Sequence, residues 1–242
     1  MSQPVLVSRN GGLVDIVLNT PENGNLMSAE MGNLIIEAVS HLEEDTRLVR
    51  LFGKGDDFCA GRVSPMPQPG ATPTGEFLRR RVAMPALALY DALKSTQVPV
   101  LAVVQGRAEG VGCALAGVCD ITLASDDAQF RIPEMERDIP PALVMSALTG
   151  RVPIKTIARM VLTRDVVDAA QALQAGLASE VVARDALLAR ADEIAASILD
   201  CSAVTVRAVK QFLELAPGLS AAASSSLAGH LSGTALSAKF GR

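Results

Sequence analysis

The pattern of apolar and polar positions predicts a chain in which buried strands alternate with amphipathic helices. Apolar side chains dominate residues 5–7 and 13–18, on either side of an Asn-Gly-Gly sequence at 10–12, which is typical of a β-hairpin. Residues 29–44 have apolar side chains at helical spacing, and residues 48–52 form a short apolar run that predicts a buried strand. The beginning of the chain therefore indicates an α/β fold.

The later part of the chain predicts mainly helices. Residues 64–75 are rich in Pro, Gly and Thr, as in a mobile cover loop, and residues 76–94 predict a helix interrupted at Pro85. From about residue 217 the sequence is low in complexity, so we expect a poorly ordered tail. Further helices are expected at residues 142–147, 155–162, 168–177, 185–199 and 203–215, with a short strand at 180–182.

The segment from Pro99 to Glu134 is the one around which we expect the other elements to be arranged. A buried strand enters a glycine-rich turn at 106–114, the turn opens a helix, and a second strand follows at 119–124. Glycines let the backbone approach a ligand closely, and the first amides of a helix have no partner within it. The turn therefore has the character of a receptor for an anion or an oxyanion.

Taken alone, this turn is also compatible with a tight connection in a packed core, because short glycine motifs occur by chance. It ends in Gly-Cys-Ala rather than in the Gly-Lys-Ser/Thr of a Walker loop, and it does not fit the dinucleotide-binding pattern. A phosphate is therefore not the expected ligand. A second glycine-bearing turn, at 53–62, follows another predicted strand, and ligands of α/β sheets gather at such strand ends.

Composition narrows the classes of partner. A net charge of −4 argues against nucleic acid, whose phosphates require clustered Lys and Arg. We find no apolar run long enough to predict a membrane span and no sign of a targeting segment, which favours a cytoplasmic protein. The four cysteines and two histidines show no metal-ligand spacing, so we expect buried thiols and no metal site. Because 49% of the residues are apolar and only 20% are charged, we expect an oligomer.

Several separated motifs, read together, resemble the enoyl-CoA hydratase/isomerase family, the crotonase superfamily. The resemblance extends over nearly the whole chain up to about residue 215. It rests on the sequences Val17-Leu18-Asn19-Thr20-Pro21 with Asn25, Phe58-Cys59-Ala60-Gly61, Pro99-Val100-Leu101-Ala102 leading to Gly106, Cys119-Asp120, residues 130–134, and residues 172–177 before Val181-Val182.

This resemblance implies an α/β fold with a crotonase-like spiral core of repeated ββα units and a helical C-terminal region. We expect the acyl-CoA-binding core to span residues 1–190, and residues 191–242 to mediate trimer formation and cover the pocket. Members of the family bind acyl-CoA thioesters and usually assemble as homotrimers or dimers of trimers. The implied substrate is therefore an acyl-CoA, with no separate cofactor, since coenzyme A is part of the substrate.

The family's oxyanion hole consists of two backbone N–H groups, which correspond to Arg62 and Val111 in this sequence. Arg62 follows Ala60-Gly61, and Val111 lies between Gly110 and Gly112; these small neighbours are the expected substrate-binding positions. A thioester enolate needs preorganised donors. Because the donors are backbone groups, arginine and valine side chains are compatible with this role.

The acid/base residues are where the sequence departs from the family pattern. Family hydratases usually hold a water between two glutamates. One of these positions corresponds to Glu134, but the other corresponds to Ala114, which cannot transfer a proton. A single glutamate that removes a proton from one carbon and returns it to another is sufficient to shift a double bond. The resemblance therefore favours enoyl-CoA isomerisation with Glu134 as the catalytic residue.

Two further departures keep enoyl-CoA hydration open as the alternative. Glu109 stands where a small or apolar residue is common, and Asp138 stands where a glycine is usual. Asp138 lies four residues after Glu134 and would share its face if this segment were helical, so either acid is a candidate replacement for the missing glutamate. A catalytically weak acyl-CoA-binding protein, or pseudoenzyme, is the third hypothesis, and Ala114 favours it.

Overall fold

The computed structural model describes residues 3–68 and 70–240, in which a six-stranded sheet forms the centre of an α/β fold. The strands are β1 Val5–Asn10, β2 Leu13–Leu18, β3 Leu48–Gly53, β4 Val100–Val104, β5 Arg107–Glu109, β6 Ile121–Ser125, β7 Gln129–Arg131, β8 Val167–Asp168 and β9 Glu180–Val182. In the six-stranded sheet β1, β2, β3, β4, β6 and β9 are neighbours in that order, and β5, β7 and β8 form a second, small sheet. The predicted α/β class is confirmed.

The predicted β-hairpin is confirmed at the edge of the large sheet. β1 and β2 are antiparallel, with Asn10 opposite Leu13. Gly11 and Gly12 turn the chain with φ of +56° and +90°, which glycine adopts without a steric penalty. From β2 onward, neighbouring strands of this sheet are parallel. β4 is buried at every position, as is typical of a parallel strand covered on both faces.

Helices cover the sheets and, near the C-terminus, extend beyond them. Ser28 is the N-cap of the first helix, where its side chain accepts a hydrogen bond from the Met31 amide at 3.1 Å. The helices are α1 Ala29–Ser40, α2 Gly75–Leu78, α3 Met84–Lys94, α4 Val111–Val118, α5 Ala142–Leu148, α6 Ile154–Thr163, α7 Ala169–Gln174, α8 Leu187–Leu199, α9 Ala203–Leu215 and α10 Ala221–Phe240.

The helix predicted at 76–94 continues past Pro85 instead of breaking there. α2 passes through a π-helical turn, Arg79–Ala83, directly into α3, and Pro85 lies in the first turn of α3. Proline lacks an N–H group and its ring crowds the carbonyl four residues earlier. The wider π turn immediately before Pro85 accommodates this residue without ending the helix.

Helix α9 is tied to the core by a buried ion pair. The Lys210 Nζ lies 2.9 Å from both carboxylate oxygens of Asp120, and the two side chains are 1% and 4% exposed. Asp120 also accepts a hydrogen bond from the Val100 amide at 2.8 Å. The helical C-terminal region is thereby joined to the beginning of β4.

The segment for which we expected poor order forms a helix. α10 packs along α9, although none of its described side chains is buried. Its many alanines favour a helix, which explains the difference from the expectation based on low complexity. Within the part of the chain that the structure describes, no helix is both long enough and apolar enough to cross a membrane.

Candidate active site

Backbone hydrogen bonds join the two glycine-bearing turns that the sequence singled out. The Phe58 amide donates to the Gln105 carbonyl at 2.8 Å, and the Cys59 amide donates to the Arg107 carbonyl at 3.0 Å. The Glu109 amide donates back to the Cys59 carbonyl at 3.0 Å. This ladder places the turn at 53–62 beside the turn that opens α4.

Glycine is required at two positions where these segments meet. A side chain on Gly112 would overlap the Cys59 carbonyl, so the first turn of α4 can lie against the neighbouring turn only with glycine there. Gly110 has a φ of +51°, and a Cβ atom on it would lie 2.7 Å from Glu134 Oε1. Close approach of the backbone therefore explains both residues.

The two amides expected to form the oxyanion hole lie on these joined turns. The Met27 amide donates to the Gly61 carbonyl at 2.9 Å, and the Val63 amide donates to the Met27 carbonyl at 3.1 Å, which fixes Arg62 between them. Among the backbone bonds of the described loops, none uses the Arg62 amide. Val111 is the first residue of α4, where amides have no partner within the helix.

A cavity of about 370 Å³ opens between these turns, helix α3 and the segment after β7. Gly112 does not line the cavity; its lack of a side chain lets the first turn of α4 pack against the Cys59 carbonyl. Most of the residues predicted for the site do line the cavity: Ala60, Gly61, Arg62, Glu109, Gly110, Val111 and Glu134.

Glu134 reaches this cavity through the pairing of the small sheet. β5 and β7 are parallel with Glu109 opposite Arg131, and the Gly110 amide donates to the Arg131 carbonyl at 2.9 Å. The chain then continues into a 3₁₀ turn, Glu134–Arg137, that begins beside Gly110. The sheet register therefore brings the carboxylate beside Gly110, the residue that precedes α4.

The environment of Glu134 shifts its pKa upward. Burial raises the pKa of this carboxyl group above its ordinary value and the charge of Glu109 adds to the shift, whereas a hydrogen bond from its own backbone and the charge of Arg137 oppose it. Its Oε2 atom is buried and has no hydrogen-bond partner among the described residues. A carboxyl group in this state can exchange a proton with a ligand in the cavity.

The structure separates the two acids that the sequence offered as replacements for the missing glutamate. Glu109 lines the cavity, but Asp138 is exposed and lies outside the wall. Asp138 ends the 3₁₀ turn with a φ of +54°, and a tight 3₁₀ turn does not bring residues four apart onto one face. Ala114 is fully buried on α4 and contributes nothing polar.

Sequence reasoning missed Tyr90, the single tyrosine of the chain. It lies on the buried face of α3, its side chain is 1% exposed, and it lines the cavity. Its hydroxyl is buried and has no hydrogen-bond partner among the described residues. The signal was present in the sequence, since the helical spacing with Ala86 and Leu93 places this phenol on an apolar face.

The Arg62 side chain also lines the cavity. Its Nη1 donates to the Val82 carbonyl at 2.8 Å, in the π turn before α3, and burial lowers the pKa of the guanidinium.

Three of the four cysteines are buried as expected: Cys59, Cys113 and Cys119. Burial raises the pKa of the Cys59 thiol to about 11. Cys201 is exposed, contrary to expectation, because it lies between the surface helices α8 and α9.

The chain is similar in sequence to known proteins. The family model described as enoyl-CoA hydratase/isomerase matches residues 8–227. The probable enoyl-CoA hydratase echA8 of Mycobacterium bovis is 30% identical over 216 residues, which cover 86% of this chain and 80% of that protein.

Solved structures confirm the predicted fold. The enoyl-CoA hydratase of Mycobacterium smegmatis superposes with a TM-score of 0.89 at 27% identity, covering 96% of this chain and 90% of the other. A Thermobifida fusca YX protein, solved in complex with CoA, superposes with a TM-score of 0.88 at 25% identity, covering 99% of this chain and 95% of the other.

Proposed function

Because this chain belongs to the enoyl-CoA hydratase/isomerase family of enzymes, we propose that its cavity binds an acyl-CoA thioester and catalyses the reversible addition of water to a 2-enoyl-CoA. One observation carries the proposal: in a cavity that starts at two glycine-bearing turns, Glu134 Oε2 is buried and has no hydrogen-bond partner in the described part of the chain. The CoA complex of the similar Thermobifida fusca protein supports a ligand that contains CoA.

The amides of Arg62 and Val111 stabilise the enolate in this proposal. Their place on two turns joined by backbone hydrogen bonds supports the role, because such donors need no reorganisation when charge develops on the thioester oxygen. Removal of one such donor typically costs about 3 to 4 kcal/mol in the transition state. Ala60, Gly61 and Gly110 then lie against the thioester, where side chains would obstruct it.

Glu134 moves the proton. As the water oxygen bonds to C3 of the acyl chain, Glu134 takes one proton from that water, and the electron pair of the double bond passes to the thioester oxygen. The enolate oxygen then re-forms the carbonyl, and the electron pair of the C1=C2 bond takes the proton from Glu134 to form the new C–H bond at C2. Water has been added across the double bond, and Glu134 is again a carboxylate. Its raised pKa supports both steps, because a proton held too weakly or too strongly is not exchanged efficiently.

Hydration also needs a polar group that holds the water, and the cavity supplies candidates despite Ala114. Glu109 and Tyr90 line the same cavity as Glu134. This is why we place hydration ahead of the isomerisation that the sequence favoured.

Isomerisation of the double bond is the second candidate. Ala114 favours it, because this residue is buried and apolar and cannot transfer a proton. Among the described residues, Glu134 is then the one carboxylate with a buried oxygen that has no hydrogen-bond partner. This reaction uses the same enolate and requires Glu134 alone, which would take a proton from one carbon and return it to another.

The test is an assay of purified protein with a trans-2-enoyl-CoA and with a 3-enoyl-CoA, in which hydration and double-bond migration are followed separately. We expect hydration, and we expect Glu134→Gln to lower it by about 10²- to 10⁴-fold while acyl-CoA binding persists. Asp138→Asn is the matched carboxyl-to-amide control outside the cavity and should change neither.

Three outcomes would contradict the proposal. Migration without hydration would establish the second candidate. Binding of the acyl-CoA with neither reaction would indicate the pseudoenzyme. Hydration that survives Glu134→Gln would remove this residue from the mechanism.

A further inference from the structure

The hydroxyl group of Tyr90 is a polar atom without a partner at the wall of the cavity. The side chain is 1% exposed, and its Oη makes no hydrogen bond to any described residue. Buried polar groups in native proteins almost always have a partner, since an unsatisfied group bears the full cost of leaving water. The hydroxyl therefore requires an explanation, and its place in the cavity wall suggests a guest molecule.

Glu134 Oε2 is the second such atom in this wall. The two residues do not hydrogen-bond to each other, although the charge of Glu134 raises the pKa of Tyr90. A phenol donates and a carboxylate accepts. One guest oxygen that accepts from Tyr90 and donates to Glu134 satisfies both, and only a water molecule or a hydroxyl group can do both.

The charged and titratable groups around Tyr90 keep its proton in place. Burial raises the pKa of the phenol, and the carboxylate of Glu134 and the thiols of Cys59 and Cys113 raise it further, whereas Arg62 opposes them. The phenol therefore keeps its proton at neutral pH and is available there as a hydrogen-bond donor.

Tyr90 lies on the helix that packs against the one carrying Ala114. Helix α3 packs against α4, and Cys113, one residue before Ala114, raises the pKa of Tyr90 and has its own pKa raised by Glu134. Ala114 leaves α4 without a polar group at this point, and Tyr90 introduces one from the neighbouring helix.

We propose that the Tyr90 hydroxyl donates a hydrogen bond to the oxygen that is added to C3 of the acyl chain, and so holds the water or the product's 3-hydroxyl group against Glu134. This inference rests on the proposed function and names the residue that stands in for the missing glutamate. In the addition, one lone pair of the water attacks C3, a second accepts from Tyr90, and the departing proton goes to Glu134. In the reverse direction, the same hydrogen bond stabilises the leaving hydroxyl oxygen as Glu134 returns its proton.

Tyr90→Phe tests this directly, because it removes one oxygen atom and keeps the buried ring. We expect kcat/KM for hydration to fall about 10- to 100-fold, the range for one hydrogen bond that strengthens in the transition state. Glu109→Gln is the comparison, since Glu109 is the other polar candidate in the cavity and should have the smaller effect. If Glu109→Gln abolishes hydration while Tyr90→Phe leaves it intact, the proposal is overturned.

Ligand binding separates this role from a structural one. In a Glu134→Gln background, which slows conversion of the ligand, 3-hydroxybutyryl-CoA and butyryl-CoA are compared by calorimetry with and without Tyr90→Phe. We expect the hydroxylated ligand to bind several-fold more tightly than the saturated one, and we expect Tyr90→Phe to abolish this preference without weakening butyryl-CoA binding.

The results distinguish failure of the inference from failure of the proposed function. Equal loss of affinity for both ligands in Tyr90→Phe would show a packing role and refute the inference. No preference for the hydroxylated ligand before the substitution would refute it as well. Failure to bind either ligand would refute the proposed function itself.

Discussion

Gly112→Ala is the most direct perturbation of the backbone that forms the proposed oxyanion hole. The added Cβ would overlap the Cys59 carbonyl, and the first turn of α4 would have to retreat by about 1 Å to restore an ordinary contact. The atom it meets is backbone, fixed by the ladder between Cys59 and Glu109, so the neighbour cannot rotate away. The Val111 amide, one residue earlier, would move relative to the Arg62 amide. A displacement of this size in a site can lower turnover about 100-fold.

Gly117→Ala is the matched control on the same helix. There the added Cβ would meet the end of the Leu148 side chain, which can move, and Gly117 lies outside the cavity wall. We expect both variants to lose about 1–3 kcal/mol of stability from overpacking, measured by urea unfolding. We expect only Gly112→Ala to lose kcat/KM beyond its loss of folded protein. Equal activity of the two variants would contradict our placing of the donor at Val111.

Three more predictions concern single side chains. Lys210→Met should lower the free energy of unfolding by about 3–5 kcal/mol in urea melts, because among the described residues it leaves the buried Asp120 carboxylate with only the Val100 amide and Arg151. The pKa of Glu134 is raised in the folded state, so ionisation of this carboxyl group destabilises the fold as the pH rises. Glu134→Gln should therefore raise the free energy of unfolding at neutral pH, and urea melts at lower pH should show this gain vanish. Arg62→Met removes the hydrogen bond to the Val82 carbonyl before α3, the helix that carries Tyr90, so it should lower hydration. It keeps the backbone donor, so acyl-CoA should still exchange its C2 proton with deuterated solvent.

The α/β class and the two glycine-bearing turns could be predicted from local sequence, whereas the spiral fold and the roles of the site residues came only from the resemblance to the family. A strand followed by glycines and a helix start can be recognised without tertiary information, and the spacing around Gly110 and Gly112 has one simple explanation, close approach of the backbone. The hairpin and the alternation of strands with helices follow from patterns of the same short range. These elements agree with the structure because the contacts that determine them are local or are repeated along an element.

The side-chain part of the site depends on geometry that the sequence does not contain. The expectation that Asp138 shares a face with Glu134 assumed α-helical spacing, whereas the chain forms a 3₁₀ turn and then reverses at Asp138. Tyr90 was missed because 40 or so residues separate α3 from Glu134, and only packing of α3 on α4 brings them to one cavity. The helix at 221–240 was missed for another reason, since composition alone does not distinguish an alanine-rich helix from a low-complexity tail.

Arg62 connects the two parts of the site. From the sequence its side chain is irrelevant, because the proposed donor is its backbone amide. In the structure, however, the guanidinium donates to the Val82 carbonyl, in the π turn that precedes α3. A π turn shifts the carbonyl-to-amide pairing of the helix, and the Arg62 contact fixes one of the carbonyls concerned. In our proposal the same residue supplies a donor for the thioester oxygen, and its side chain contacts the turn before the helix that carries Tyr90. An arginine at this position therefore links the proposed enolate site to the group that we propose holds the water, whereas a glycine or alanine there would lack this side-chain contact.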